Sequence, residues 1–340
     1  MIGKKLYDEK NLQDDQKILD YIRKESPEDY DAILQADESW SAQLRLTPMR
    51  ASLLEWYPLE KDANVLEAGG AFGELTHVLC EKCAHVLSVE RELSRVQAIQ
   101  SRCRNKQNLT VCNCDLMDLC PERNYDYVLA AGILESQGVL SKNLKDYADF
   151  VKRLCAFLKP FGKLLLICQN RMGIRYLCGE PDRKTGIPYD GVNGYPVDHG
   201  LSGFTKKELE IILDKAGIRN YQFYYPLPDD QMVQAVYAQD CLPKDSVKDR
   251  VISYYPDKYT AVASQSDFMD FCIESGCLHV FANSFFVECV PDGGTCTDIH
   301  SVLFTTDRGK EAAMATIHKG NFMYKKALHP QGMKALKRSV

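Results

Sequence analysis

The feature that most constrains this chain is a run of alternating units between residues 63 and 169. ANVLEAG reads as a short buried strand and GELTHVLCEKC as a helix. HVLSVE is a second strand and LSRVQAIQSRC a second helix. NLTVCNCD is a third strand. YDYVLAAG is a fourth, followed by a helical DYADFVKRLCAFL, and KLLLICQN is a fifth. Short apolar strands alternating with amphipathic helices predict βαβ units and a parallel sheet covered on both faces.

The flanks read differently. Residues 1–60 are expected to be helical: DQKILDYIRK and EDYDAILQAD have helical apolar spacing, and TPMRASLLEWY opens with a threonine cap and a first-turn proline. Past Asn170 the rhythm breaks. Residues 171–203 are rich in glycine and hold Pro181, Pro188 and Pro196, a composition expected of a long ordered loop or lid. FTKKELEIILDKAG resumes a helix closed by Gly217, NYQFYYPLP is a sixth strand, and HVFANSFFVECV supplies the next that could pair with it. The intervening 227–278 reads as a mostly helical insertion. HSVLFTT, AAMATIHK and NFMYKK, within 300–327, read as short antiparallel strands. The expected division is 1–60, a core of 61–290, and a β-rich extension of 291–340.

Composition narrows the class. The net charge is −5 with both signs interspersed, which disfavours a nucleic-acid partner. No run approaches 18 apolar residues, so no membrane span is expected, and the polar MIGKKLYDEKNLQDDQK start has no signal-like apolar stretch. The 14 cysteines include the pairs Cys80/Cys83, Cys112/Cys114 and Cys272/Cys277, which do not form a repeated zinc spacing. Reduced thiols in a cytoplasmic protein, with no metal site, are the expectation.

The junction of the first strand and its helix is Glu67-Ala68-Gly69-Gly70-Ala71-Phe72-Gly73. Glycines there let a ligand approach backbone, and the following helix offers free N–H groups, so a nucleoside-containing ligand suits the turn. The dinucleotide pattern G-x-G-x-x-G fails, because Ala71 and Glu74 stand where glycines are needed. Glu90, at the end of the second strand, is placed to accept both ribose hydroxyls, as an acid also does in NAD proteins. Asp115, followed by Leu116, ends the third strand, and Ala131 ends the fourth.

This E-x-G-x-x-x-G turn, Glu90, Asp115, the AAGILES end of strand four and the LKPFGK turn together resemble the landmarks of class I S-adenosylmethionine (SAM)-dependent methyltransferases. LTPMRASLLEWYPL, QNRMGIRYLCGEPD, the YYPLPDD stretch and HVFANSFFVE resemble more narrowly a bacterial group associated with glycosyltransferases and cell-surface polysaccharide assembly. In that group the corresponding stretches tend to read Glu-Asn-Arg and Glu-Asp-His where this chain has Gln169-Asn170-Arg171 and Pro181-Asp182-Arg183.

The resemblance implies a Rossmann-like α/β fold: a seven-stranded, mainly parallel sheet with helices on both faces, an N-terminal helical cap and a small antiparallel C-terminal extension. It implies that SAM, and its product S-adenosylhomocysteine (SAH), are held by Glu67, Gly69, Gly70, Ala71, Gly73, Glu90, Asp115, Leu116 and Ala131. The implied activity is methyl transfer to a hydroxyl of a small molecule or glycan. An amine of an amino sugar or metabolite is second. A non-catalytic SAM-binding module, completed by a neighbouring domain or a second copy, is the other class, and an NAD-dependent oxidoreductase the remote one. A hydroxyl acceptor needs a base. His199, in GYPVDHGLSGF, is the first candidate and Asp182 the second. Tyr176, Tyr189, Tyr195, Phe204, Tyr224 and Tyr225 could give a sugar-binding platform or be core.

Overall fold

The alternating units fold into the parallel array that their pattern requires. The computed structural model describes residues 14–136, 141–196, 200–254, 261–305, 312–329 and 331–332. Strands β1 (Asn64–Ala68), β2 (His85–Glu90), β3 (Leu109–Asn113), β4 (Tyr125–Ala131) and β5 (Leu158–Gln169) are paired in parallel, with β1 central between β2 and β4. Helices α1 (14–24), α2 (Tyr30–Ala36), α3 (Trp40–Leu46) and α4 (Ser52–Glu55) precede the sheet. Helix α5 (Glu74–Lys82) links β1 to β2, α6 (Leu93–Arg102) links β2 to β3, and α7 (Ile133–Ser136) and α8 (Leu144–Cys155) lie between β4 and β5. Next come α9 (Ile174–Leu177), α10 (Lys206–Ala216), α11 (Gln265–Glu274) and α12 (Leu278–Phe281).

Side chains of successive strand residues point to opposite faces, and each face has its own core. From β4 and β5, Val128, Ala130, Leu164, Leu166 and Cys168 join Tyr147, Val151 and Leu154 of α8 and Leu209, Ile212 and Leu213 of α10. Tyr127, Leu129, Leu165 and Ile167 instead join Trp56, Tyr57, and Leu75, Val78 and Leu79 of α5. Helix α10 starts with a capping box between Thr205 and Glu208 and ends at Gly217 in a left-handed conformation, as its sequence requires.

Beyond β5 the sheet continues with β8 (Ser284–Cys289), antiparallel to β5, and then β6 (Tyr221–Leu227), antiparallel to β8. The order β3-β2-β1-β4-β5-β8-β6, with one reversed strand, is the expected seven-stranded arrangement. Two expectations need correction. The sheet does not stop at seven strands: β7 (Ala235–Ala238) pairs with β6, and β9 (Ile299–Phe304), β10 (Met314–Lys319) and β11 (Phe322–Ala327) follow, giving an 11-stranded sheet. The expected small antiparallel C-terminal extension is thus present, and it is continuous with the main sheet. The described part of 227–278 is not mostly helical either. It holds β7, one 3₁₀ turn, α11 and irregular chain. Four residues of AVYA are too few to show a period, yet they supply the edge on which the tail pairs.

A third core joins the N-terminal helices to the sheet domain. Ile18, Leu19, Ile22, Tyr30, Ala42 and Leu46 pack against Phe72 of the glycine turn and Ala98 of α6. The Arg45 guanidinium sits 5.0 Å from the Phe72 ring centroid and pairs with Glu74 at 3.3 Å, while Arg102 donates to the Arg45 carbonyl at 2.7 Å. Phe72 is thus the peg on which the cap sits. Phe72→Ala is expected to cost about 3–5 kcal/mol and to release the cap first. Limited proteolysis should cut before residue 47 at temperatures where the sheet domain stays folded.

Candidate functional site

The carboxyl ends of the parallel strands β1, β2, β4, β5 and β6 lie along one edge of the sheet, and Glu90, Glu135, Asn170, Asp229 and Asp230 are buried at or just past those ends. At the end of β1, Gly69 has φ +81° and donates its N–H to the Val89 carbonyl at 2.9 Å. Gly70 is pressed against β2: a Cβ there would stand 2.4 Å from Ser88 Oγ and 2.7 Å from Ile99 Cδ1, so only glycine fits. Ala71 takes the left-handed region at φ 47°, an uncommon cost for alanine. Gly73, at φ +81°, precedes the first turn of α5.

Glu90 braces that turn. Its Oε2 accepts the Ala71 N–H at 3.1 Å and its Oε1 accepts the Glu92 N–H at 3.1 Å. A carboxylate oxygen has two acceptor directions, so each retains one. Glu67 faces away from the strand ends into the protein. Its Oε2 accepts the Thr76 hydroxyl at 2.6 Å and the Ser88 hydroxyl at 2.7 Å, tying β1 to α5 and β2. Burial pushes the Glu67 carboxyl up to about 7, against the stabilising pull of those two hydroxyls and with the charges of Glu74 and Glu90 adding to the rise. Asp115 leaves β3, caps the following 3₁₀ turn by accepting the Met117 N–H at 2.9 Å, and has Arg91 at 3.9 Å. Leu116 is buried in the core beneath. Ala131 ends β4, and past it a Cβ built on Gly132 meets no atom of the described residues within 4 Å.

A second polar group sits over β4, β5 and β6. Glu135, on α7, accepts the Gln169 N–H through Oε1 at 2.6 Å. Its Oε2 is buried with no hydrogen-bond partner among the described residues, and so is Oε1 of Gln169. The Gln169 amide instead donates to Asp230 Oδ1. Asp230 is also held by Arg50, whose Nη1 donates to its carbonyl and, at 2.9 Å, to Oδ2; Gln231 Nε2 donates to the same oxygen at 2.6 Å. Burial pushes the Glu135 carboxyl up to about 7, and the nearby Asp230 charge adds to the rise while the Gln169 N–H and Lys184 lower it. Below these, Asn170 and Asn283 fix the backbone: Asn170 Nδ2 donates to the Ala282 carbonyl and Asn283 Nδ2 to that of Pro228. Asp229 binds Arg175 and the Tyr254 hydroxyl, and the Tyr254 ring lies 4.8 Å from that of Trp40 in the cap.

The sequence candidates fall into three sets. Gly69, Gly70, Ala71, Gly73 and Glu90 converge on one turn, with Asp115 and Leu116 one strand over. Asp182 is taken up by its own loop: Oδ1 accepts the N–H groups of Lys184 and Thr185, and Oδ2 accepts the Tyr195 hydroxyl. His199 lies outside the described residues. Of the aromatics weighed as a platform or as core, Tyr195, Phe204, Tyr224 and Tyr225 are core, with no exposed surface. Glu135, Arg50 and Asp230 were not foreseen as site residues. Arg50 and Asp230 stood inside quoted motifs, LTPMR and PLPDD, but only the fold brings residues 180 positions apart together. Glu135 stood in AAGILES, where a single acid after a strand looks like any surface residue.

No protein-family model and no curated protein sequence matches this chain. Solved structures do resemble it. One is phosphoethanolamine N-methyltransferase 1 of Haemonchus contortus in complex with phosphoethanolamine and SAH, at 15% identity and a TM-score of 0.45, over 79% of this chain and 46% of that one. Another is the [4+2]-cyclase SpnF, at 15% identity and a TM-score of 0.43, over 75% and 83%. A third is the N-methyltransferase NodS from Bradyrhizobium japonicum WM9, at 11% identity and a TM-score of 0.40, over 71% and 92%. The chain spans less than half the length of the first. At these identities and scores, neither acceptor nor chemistry transfers.

The raised Glu67 carboxyl has a measurable consequence. Its value is 4.5 when unfolded and about 7 in place, so the folded state holds the extra proton between these limits. That stabilisation is full below pH 4.5 and lost as pH rises through about 7. Glu67→Gln should therefore make stability fall less steeply with pH across that window, as chemical denaturation at a series of pH values would read. An unchanged slope would mean that Glu67 ionises normally.

Proposed function

We propose that this chain is a SAM-dependent methyltransferase that acts on a hydroxyl group of a small molecule or glycan, with Glu135 as the proton acceptor. The supporting observation is the pairing of two half-sites along one sheet edge. One half is a left-handed glycine turn braced by a carboxylate. The other is a buried carboxyl with one free oxygen.

The residues present fit the cofactor. Glu90 retains an acceptor direction on each oxygen, which suits the two hydroxyls of a ribose. Asp115 and the chain after it suit the exocyclic amine and edge of an adenine. Among the described residues, none comes within 4 Å of a Cβ built on Gly132, which leaves room next to the turn. Bound SAM would supply a methyl carbon already activated by a sulfonium, so the protein's tasks are to orient an acceptor, exclude water and remove a proton.

Glu135 suits the last task. Its Oε1 is fixed by the Gln169 N–H, which sets the direction of Oε2. A buried carboxyl with a value near 7 is a stronger base than a solvated one, yet is still partly ionised at neutral pH. Gln169 Oε1 is a second acceptor beside it and can receive a hydrogen bond from another group of the same acceptor molecule. Asp182, with both oxygens engaged, is left as a loop residue. For His199 we propose no proton transfer.

Isothermal titration with SAH is the first test. Glu90→Ala and Asp115→Ala should each weaken binding about tenfold or more, as expected for loss of charge-assisted hydrogen bonds. Incubation with labelled SAM and a panel of sugars and small hydroxylated compounds should then yield a product whose methyl is ether-linked. Glu135→Gln should lower turnover by about 10²–10⁴-fold at near-unchanged SAH affinity, and His199→Ala by little. Wild-type turnover should rise as pH passes about 7 and lose that limb in Glu135→Gln. Binding of NAD in place of SAH, or an N-linked product, would overturn the respective half of the reading.

A further inference from the structure

The end of strand β3 brings together two thiols for which the proposed function has no use. Cys112 is the penultimate residue of the strand and Cys114 the first residue past it. Their sulfurs are 2.6 Å apart, both side chains are half-buried, and neither is in a disulfide. Cys112 is in register with Val89, next to Glu90 on the neighbouring strand. Asn113, between the cysteines, donates from Nδ2 to the Glu90 carbonyl at 3.1 Å and to the Arg91 carbonyl at 2.8 Å. Asp115 follows directly. The two thiols therefore flank a side chain that ties the end of β3 to the segment carrying Glu90.

We propose that Cys112 and Cys114 are a reversible disulfide site, closed by exchange with a small-molecule disulfide, and that closing it weakens nucleoside binding between Glu90 and Asp115. The first half stands on the thiol geometry alone; the second rests on the proposed function.

The chemistry balances. The thiolate of one cysteine attacks the external disulfide, whose S–S bond breaks and releases one small thiol, leaving a mixed disulfide. The thiolate of the other cysteine attacks the protein sulfur of that mixed bond and expels the second small thiol. The protein loses two electrons and two protons, and the external disulfide gains them. Closure draws the sulfurs from 2.6 Å to about 2.05 Å and sets a dihedral near ±90°. Asn113 is the residue spanned, so closure acts on the torsions on either side of it. Its Nδ2 then leaves the Glu90 and Arg91 carbonyls. Glu90 loses the tether that holds its carboxylate under Ala71, and Asp115 moves with the end of the strand.

The test uses the full chain. Reduced protein is equilibrated against a series of reduced and oxidised glutathione ratios, then alkylated and mapped by peptide mass spectrometry. The expected result is one peptide containing Cys112 and Cys114 that has lost two hydrogens and resists alkylation until reduced. Exposed Cys120 should give only mixed disulfides. The bridged form should bind SAH about fivefold or more weakly. It should also exchange the Ala71 and Glu92 amide hydrogens faster, because both are held by Glu90. Cys112→Ser and Cys114→Ser should each remove the redox response of both readouts.

Two free thiols in that peptide at every ratio, or glutathione adducts there without an internal bridge, would overturn the site. A bridge that leaves amide exchange and SAH affinity unchanged would overturn the coupling. If SAH binds neither form, the proposed function fails, while the bridge and its effect on Glu90 are still decided by the peptide map and by exchange.

Discussion

Acidic side chains are buried at or near the carboxyl ends of these strands, and water is not there to solvate them. Glu67 lies in the last part of β1 and faces inward, Glu90 ends β2, Glu135 follows β4, and Asp229 and Asp230 follow β6. A charge in such a place must find donors, find an opposite charge, or take a proton. Each solution is used. Glu90 takes backbone N–H groups and so stiffens the turn. Asp230 takes Arg50. Glu67 takes two hydroxyls and is still driven up to about 7. Glu135 has one N–H on one oxygen and nothing on the other. Glu135 thus keeps a buried oxygen with no partner among the described residues, at a strand end, and a half-satisfied buried acid in such a place is expected where a ligand completes the set.

The cap is part of the same arrangement. Arg50 reaches Asp230 from just ahead of α4, and Trp40 of α3 packs on Tyr254, which in turn holds Asp229. Phe72 leaves the glycine turn to enter the cap's core. The N-terminal helices are thus tied to both halves of the site, to the turn through Phe72 and to the acids through Arg50. The buried Arg50–Asp230 pair lies across a chain separation of 180 residues. Removal of one partner would leave the other charge stranded, so the contact also fixes where the cap sits.

The sheet core was legible because its signals are local. Each of the first four strands is a short run with a glycine or an acid at its end, the fifth is the apolar KLLLIC, and the helices between them show their own period. The turn residues Gly69 to Gly73 and the acids Glu90 and Asp115 stood at strand ends, where a parallel sheet places ligands. The extension through β7 was not legible, because four residues carry no period and because pairing with distant β9 is a tertiary fact. Glu135, Arg50 and Asp230 were not legible as a group for a similar reason. Nothing in AAGILES, LTPMR or PLPDD signals that a carboxyl, a guanidinium and a second carboxylate will meet. Asp182 shows the converse. Its surroundings looked functional, while a threonine, a lysine and a tyrosine had already claimed both of its oxygens.

Gln169 decides how the acids divide their roles. A glutamate here would stand between Glu135 and Asp230 as a third carboxylate, and the three could share charge only by holding protons. The amide changes the count. Its Nε2 donates to Asp230, as Arg50 does, while its backbone N–H goes to Glu135. Asp230 then has donors on both oxygens, and Glu135 has a donor on one oxygen and a carboxyl that burial pushes up to about 7. On the proposed reading, that division lets one acid help to orient a polar acceptor while the other takes its proton.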